Sequence, residues 1–151
     1  MVGRTYRPGL KQNRRQVSGM VRAMRYEFLS DAWFDKVDEL IAGAGDLQIP
    51  EAMRQAEVNV TVVSTQGETH LHMKDGLFYR GHQASMPTRL TLGADLARRI
   101  FVDGDVTAGV QGFLEGAIKV EGDLASVVKL QTTMPSEPQQ RLTRDIAAIT
   151  A

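Results

Sequence analysis

Three side chains of types that bind metals occupy alternate positions of one short segment: Glu68, His70 and His72. Alternate residues of a β-strand project from the same face, so a strand here would place the carboxylate and the two imidazoles side by side. Zinc and iron both accept such a ligand set. Leu71 and Met73, however, give the same segment an apolar face to pack inward, which leaves the polar set on the solvated side. We therefore predict a solvated outer face here, with no metal site.

His82 and Ser85 are the other residues whose types suit catalysis. A Ser-His pair is conceivable, but the Gly-x-Ser-x-Gly turn that exposes the nucleophile of many hydrolases does not accompany it. The sequence also lacks the glycine-rich patterns of phosphate-binding loops, and it contains no cysteine for a thiolate nucleophile or a disulfide. We predict a protein without catalytic residues or cofactors.

The middle of the chain has the period-two pattern of β-strands. Val58, Val60 and Val62 alternate with polar residues, and Asp75-Gly76 is a strong signal for a two-residue hairpin turn. The pattern predicts four successive strands, over residues 58 to 62, 69 to 73, 77 to 80 and 86 to 92. Because the links between these segments are short, we expect an antiparallel meander.

Segments before and after the predicted strands have apolar residues at helical spacing. Ser30 is placed to cap a helix that ends at Gly43, and Asp123 to cap a helix that begins at Leu124. Further helices are expected over residues 17 to 28, 94 to 101, 106 to 114 and 142 to 149, and a fifth strand over residues 117 to 121. This order predicts an α+β fold, a five-stranded, mainly antiparallel sheet with helices packed on one face.

Charge is distributed unevenly along the 151 residues, although the formal net charge is zero. Residues 1 to 29 contain seven basic residues and a single acidic one, Glu27, so the rest of the chain carries an acidic excess. Such a basic arm suits an anionic membrane surface, and it also occurs as a solvated tail; nucleic acid is not an expected partner. No apolar run has the length of a signal core or a membrane span, which predicts a cytoplasmic protein.

The run from Gly116 to Asp123, GAIKVEGD, leads into an apolar stretch that ends in the pair Lys129-Leu130. With a Trp-Phe helix before the strands, this run resembles the sterol carrier protein family of small lipid-transfer domains, whose most recognisable stretch is Gly-x-Ile-x-Val-x-Gly-Asp followed by such a helix. The resemblance covers residues 30 to 134. It leaves outside a basic N-terminal extension with a helix, residues 1 to 29, and a C-terminal helical extension, residues 135 to 151.

The resemblance implies non-catalytic binding and transfer of an apolar small molecule, such as a fatty acid, an acyl-coenzyme A or a sterol, in an internal pocket. Short apolar helices separated by glycines favour a gap of that kind. Gln131 lies on an apolar helix face, where it would meet a ligand headgroup or bond to a backbone carbonyl. The expected ligand-binding residues are Trp33, Phe34, Phe101, Val106, Val110, Phe113, Leu114, Ile118, Val127, Val128, Gln131 and Met134.

Two alternatives stay open at the level of sequence. The first is an enzyme that uses the same pocket on a polyketide-, terpene- or sterol-like substrate, with polar groups such as Gln131, Tyr79 or His82 assisting. The second is an interaction module without a pocket that docks to an acyl-processing enzyme through its basic arm.

Overall fold

A five-stranded mixed sheet is the centre of the fold in the computed structural model, which describes residues 24–151. Its strands are β1 (Val58–Ser64), β2 (Gly67–Lys74), β3 (Leu77–Arg80), β4 (Thr88–Gly93) and β5 (Lys119–Glu121). Their order across the sheet is β3, β2, β1, β4, β5. Every neighbouring pair is antiparallel except β1 and β4, which run parallel. The α+β fold and the mainly antiparallel sheet are confirmed.

The prediction of a four-strand meander is wrong at its last strand. β1, β2 and β3 form a meander. β4 does not continue it next to β3 but pairs with the edge of β1 that faces away from β2, so that Val60 lies between Leu71 and Leu90. The crossover loop, residues 81 to 87, makes this connection by passing over the outer face of the sheet. A parallel pair cannot be joined by a hairpin, and a period-two pattern does not specify which strands are neighbours.

Six helices accompany the sheet within residues 24–151. They are α1 (Asp31–Gly43), α2 (Glu51–Gln55), α3 (Ala94–Phe101), α4 (Val106–Leu114), α5 (Leu124–Thr132) and α6 (Glu137–Ala148). The predicted caps are confirmed, because the Ser30 side chain accepts a hydrogen bond from the Trp33 amide and the Asp123 side chain accepts one from the Ser126 amide. Within the described range no helix combines the length and apolar character that crossing a bilayer requires.

The core lies between the sheet and the helices that cover one of its faces. Trp33, Val58 and Val60 are fully buried there. α6 belongs to the same core, since Ile146 is 2% exposed and the Trp33 indole Nε1 donates a hydrogen bond of 2.8 Å to Thr150 Oγ1. The residues predicted as a C-terminal extension therefore pack directly on α1.

The helix predicted over residues 17 to 28 is not formed in its described part. Residues 24 to 28 are non-helical, and Tyr26 forms an isolated parallel bridge with Thr150. The Tyr26 amide donates to the Ile149 carbonyl at 2.7 Å, which ties the start of the described chain to its end. The remainder of the predicted helix lies outside the described residues.

Candidate functional site: an apolar groove between the sheet and the helices

Small residues form the inward face of α4. Ala108, Gly109 and Gly112 are buried, whereas Val106 is 51% exposed and Leu114 is 75% exposed. A Cβ atom on Gly112 would lie 2.7 Å from Leu96 Cδ2, so α4 lies close to α3 at this glycine. The helix therefore packs through its small residues, whereas its apolar stripe is exposed at both ends and half-buried at Val110 and Phe113.

An apolar cavity of about 250 Å³ lies between the inner face of the sheet and these helices. The sheet supplies only apolar side chains to it, from Met73, Phe78, Leu90 and Leu92. We call this cavity the groove. The helices and loops above the sheet complete its lining with Met53, Ile100, Phe101, Asp105, Val106, Ile118, Val127, Leu130, Gln131, Thr133, Pro135, Gln139 and Thr143, together with Gly76, Gly104 and Gly109.

Five of the twelve residues expected to bind a ligand line the groove, namely Phe101, Val106, Ile118, Val127 and Gln131. The other seven do not line it. Trp33 and Phe34 are buried in the core, and Val110, Phe113, Leu114, Val128 and Met134 lie elsewhere on the helical layer. Of the four residues of the apolar stripe of α4, only Val106 lines the groove, because the small residues of this helix point inward. That these lining residues contact a ligand remains a prediction.

Sequence reasoning missed most of the groove floor. Leu90 and Leu92 alternate along β4, and Met73 had been placed on the inner face of its strand, so the period-two pattern did indicate that these residues point inward. The period-two pattern does not indicate whether these inward side chains border a cavity or pack against other side chains. Phe78 was missed for the same reason.

Polar groups line the groove only from the helices and loops. The Asp105 carboxylate accepts a hydrogen bond of 3.0 Å from the Ala108 amide and so caps α4. Gln139 is 8% exposed, and its Oε1 accepts from the Ser136 amide at 2.8 Å while its Nε2 contacts Met53 Sδ at 3.4 Å. Gln131 also lines the groove, and its side-chain amide forms no hydrogen bond with any residue in the described range 24–151.

The opposite face of the sheet has a structural histidine cluster. The rings of His70 and His82 stack with centroids 4.0 Å apart, and His82 Nε2 lies 3.0 Å from the Val60 carbonyl. His72 Nδ1 donates to the Gly81 carbonyl at 2.7 Å. Within residues 24–151, no three His, Cys, Asp or Glu side chains converge in a way that would hold a metal ion. The imidazoles fasten the crossover loop to β1 and β2.

The prediction of a solvated outer face is therefore correct only in part. Glu68 and His70 have exposed side chains, but His72 is 6% exposed because the crossover loop covers it. Tyr79 stacks near His72 with ring centroids 5.5 Å apart. Burial, with the negative charge of Asp75 and Asp38, raises the pKa of Tyr79, so this phenol is protonated at neutral pH.

No protein-family model matches the sequence, and no curated protein matches it either. Solved structures do. A sterol carrier protein 2-like 2 from Aedes aegypti is 17% identical, with a TM-score of 0.49, and the match covers 68% of this chain and 97% of that one. A sterol carrier protein domain 2 of Helicoverpa armigera is 14% identical, with a TM-score of 0.41, over 96% of this chain and 95% of that one. The sterol carrier protein 2 of Yarrowia lipolytica, in its apo form, is 16% identical, with a TM-score of 0.39, over 69% of this chain and 83% of that one. These structures belong to the family that the sequence was found to resemble.

Proposed function

We propose that this protein binds and transfers an apolar, lipid-like molecule in the groove. The observation that carries the proposal is a cavity of about 250 Å³ whose sheet floor consists only of apolar side chains. Contact of this apolar floor with water is unfavourable, so that covering it with an apolar ligand would favour binding. A ligand that fills it recovers about 0.8 kcal/mol for each buried methylene group.

The surface beside the groove supports exchange of the ligand with a lipid phase. Five of the seven large apolar side chains that are exposed within residues 24–151 belong to α4, α5 or the segment after α5: Val106, Leu114, Leu124, Val128 and Met134. Val106 also lines the groove, so the exposed apolar surface begins at its rim. A ligand too long for the cavity would extend over this surface.

The basic arm fits the same function as a contact to an anionic membrane surface. Most of it lies outside the described residues, so this part of the proposal rests on its sequence charge alone. Deletion of residues 1 to 15 should weaken binding to anionic vesicles at low salt and leave the affinity for a soluble lipid analogue unchanged.

Two tryptophan variants on one helix test the groove as the binding site. Val106→Trp places an indole at the rim, whereas Val110→Trp adds the same bulk one turn further along α4, outside the lining. A ligand at about 100 times its dissociation constant should stabilise the wild type by about 2.7 kcal/mol, seen as a higher melting temperature. Val106→Trp should abolish this rise and Val110→Trp should keep it.

Native mass spectrometry of freshly purified full-length protein provides the complementary measurement, since a carrier retains lipid from its host. The proposal fails if no fatty acid, sterol or acyl-coenzyme A raises the melting temperature of the wild type. It also fails if both tryptophan variants lose the response equally.

A further inference from the structure

A second cavity, of about 270 Å³, lies on the outer face of the sheet, opposite the groove. The end of β2, the turn after it and β3 form one side of this cavity, and the crossover loop forms the other. We call it the outer cavity. Its lining is rich in polar side chains, which include Glu57, His72, Lys74, Asp75, Tyr79 and Gln83.

The most buried side chain of this lining is that of His72, which is 6% exposed. Its Nδ1 lies 2.7 Å from the Gly81 carbonyl oxygen, which can only accept a hydrogen bond, so Nδ1 carries the proton of the uncharged ring. The other ring nitrogen, Nε2, is then an acceptor. Because buried polar atoms need a partner, a molecule in the cavity that donates an N–H or O–H group to Nε2 would be favoured.

Tyr79 forms the neighbouring wall, with its ring centroid 5.5 Å from that of His72. Burial raises the pKa of Tyr79, so this residue contributes an aromatic ring and a hydroxyl group without a negative charge. Among the described lining residues, the charged side chains are those of Glu57, Asp75 and Lys74, whose charges sum to one negative charge. This charge balance and the aromatic ring both favour a cation in the cavity.

We propose that the outer cavity binds a small organic ammonium ion, such as a primary amine in its protonated form. The N–H groups of the ligand donate to His72 Nε2 and to the carboxylates of Glu57 and Asp75, and its carbon substituent packs on the ring of Tyr79. A volume of about 270 Å³ equals that of about nine water molecules at about 30 Å³ each, which sets the size of the ligand at about nine non-hydrogen atoms. This site is separate from the groove and does not depend on the proposed function.

The test compares benzylammonium with benzyl alcohol and benzoate, a neutral and an anionic molecule of nearly the same shape. At about pH 7 the amine is protonated and the acid is ionised. Binding to the full-length protein is followed by NMR, through the chemical shifts of the His72 ring and of the Gln83 side-chain amide, which both belong to the lining. Val106→Trp is included because an aromatic ring also suits the groove, and it should leave the affinity for benzylammonium unchanged.

Two glutamates provide matched variants. Glu57→Gln removes a negative charge from the lining, and Glu68→Gln removes the same charge from an exposed position of β2 outside the lining. Glu57→Gln should weaken the binding of benzylammonium about fivefold, as expected for one exposed pair of opposite charges, and Glu68→Gln should change it by less than about twofold. Lys74→Gln, which removes the cation of the lining, should strengthen the binding.

Wild type should bind benzylammonium about fivefold more tightly than benzyl alcohol, and benzoate most weakly. Benzyl alcohol that binds as tightly as benzylammonium would overturn the proposal. Equal effects of the two glutamate variants would also overturn it, because they would indicate a general effect of surface charge. The same holds if benzylammonium does not shift the signals of His72 and Gln83, or if Val106→Trp abolishes its binding.

Discussion

The ring of Phe78 stacks on the indole of Trp33, with centroids 5.9 Å apart and an interplanar angle of 14°. Phe78 lines the groove and also packs on Phe101, another lining residue, at a centroid distance of 5.4 Å. Trp33 is fully buried and is the single tryptophan of the chain. The tryptophan thus lies one aromatic ring behind the groove.

This arrangement predicts that Trp33 fluorescence reports the occupancy of the groove. Filling of the groove by an apolar ligand should restrict Phe78 and change the emission intensity of Trp33, measured in a titration. Phe78→Leu should reduce that change. Phe34→Leu is the matched control, because Phe34 also packs on Trp33, at 5.2 Å, but lies outside the groove; it should lower stability and keep the response. A ligand that raises the melting temperature without changing the emission would contradict the prediction.

Two glycines near β5 should differ sharply in their tolerance of alanine. Both have positive φ, +104° at Gly122 and +81° at Gly116, which costs about 1 to 2 kcal/mol for other residues. A Cβ on Gly122 would lie 2.3 Å from the Pro87 carbonyl oxygen, whereas one on Gly116 would meet no atom within 4 Å. Gly122→Ala should therefore cost at least about 3 kcal/mol in urea unfolding, since a backbone clash is added to the strain. Gly116→Ala should lower the free energy of unfolding only by the cost of backbone strain. If the two variants lost equal stability, the backbone before β4 would be able to move away from the added methyl group.

Asp123 should make the stability of the protein depend on pH in the acid range. Hydrogen bonds from the Ser126 hydroxyl and amide lower the pKa of this carboxyl below its ordinary value. A depressed native pKa means that the stabilisation is fully present above the unfolded value, about 3.9, and is lost as the pH falls through the native pKa. Asp123→Asn keeps a cap but not the charge. Its melting temperature should be below that of wild type at neutral pH and should converge on it in strong acid; a gap that persists there would assign the effect to something other than ionisation.

Asn59 should be the main side-chain anchor of the crossover loop. It is 6% exposed, donates from Nδ2 to the Gln83 carbonyl at 2.8 Å and accepts from the Gln83 amide at 2.8 Å. Asn59→Ala leaves both backbone groups without this partner, which should cost about 2 to 3 kcal/mol. Thr61→Val, on the same strand face, removes only a 3.3 Å contact with His82 and should cost less. Hydrogen exchange at the Gln83 amide checks the mechanism, because it should accelerate in Asn59→Ala alone.

Local signals in the sequence were sufficient for most of the elements. Asp75-Gly76 forms the predicted two-residue turn, with φ of 55° and 78°, because these residue types tolerate the left-handed conformation that such a turn needs. Asp123 caps its helix as predicted, since the cap depends only on residues within one turn. The alternation of Val58, Val60 and Val62 likewise placed all three in the core.

Tertiary structure alone decided which strands and which helix faces meet. The partner of β4 is β1, and the crossover loop before β4 is held on the outer face by contacts of His82 and Asn59, which lie far apart in sequence. α4 has two faces that could pack inward, an apolar stripe and a glycine face, and the sequence pattern favours the stripe. In the structure the small residues face inward and α4 lies close to α3 at Gly112, which favours the many short-range contacts of a dense core. The sequence by itself determined the local conformation of each segment, whereas the groove exists only because of how the segments pack.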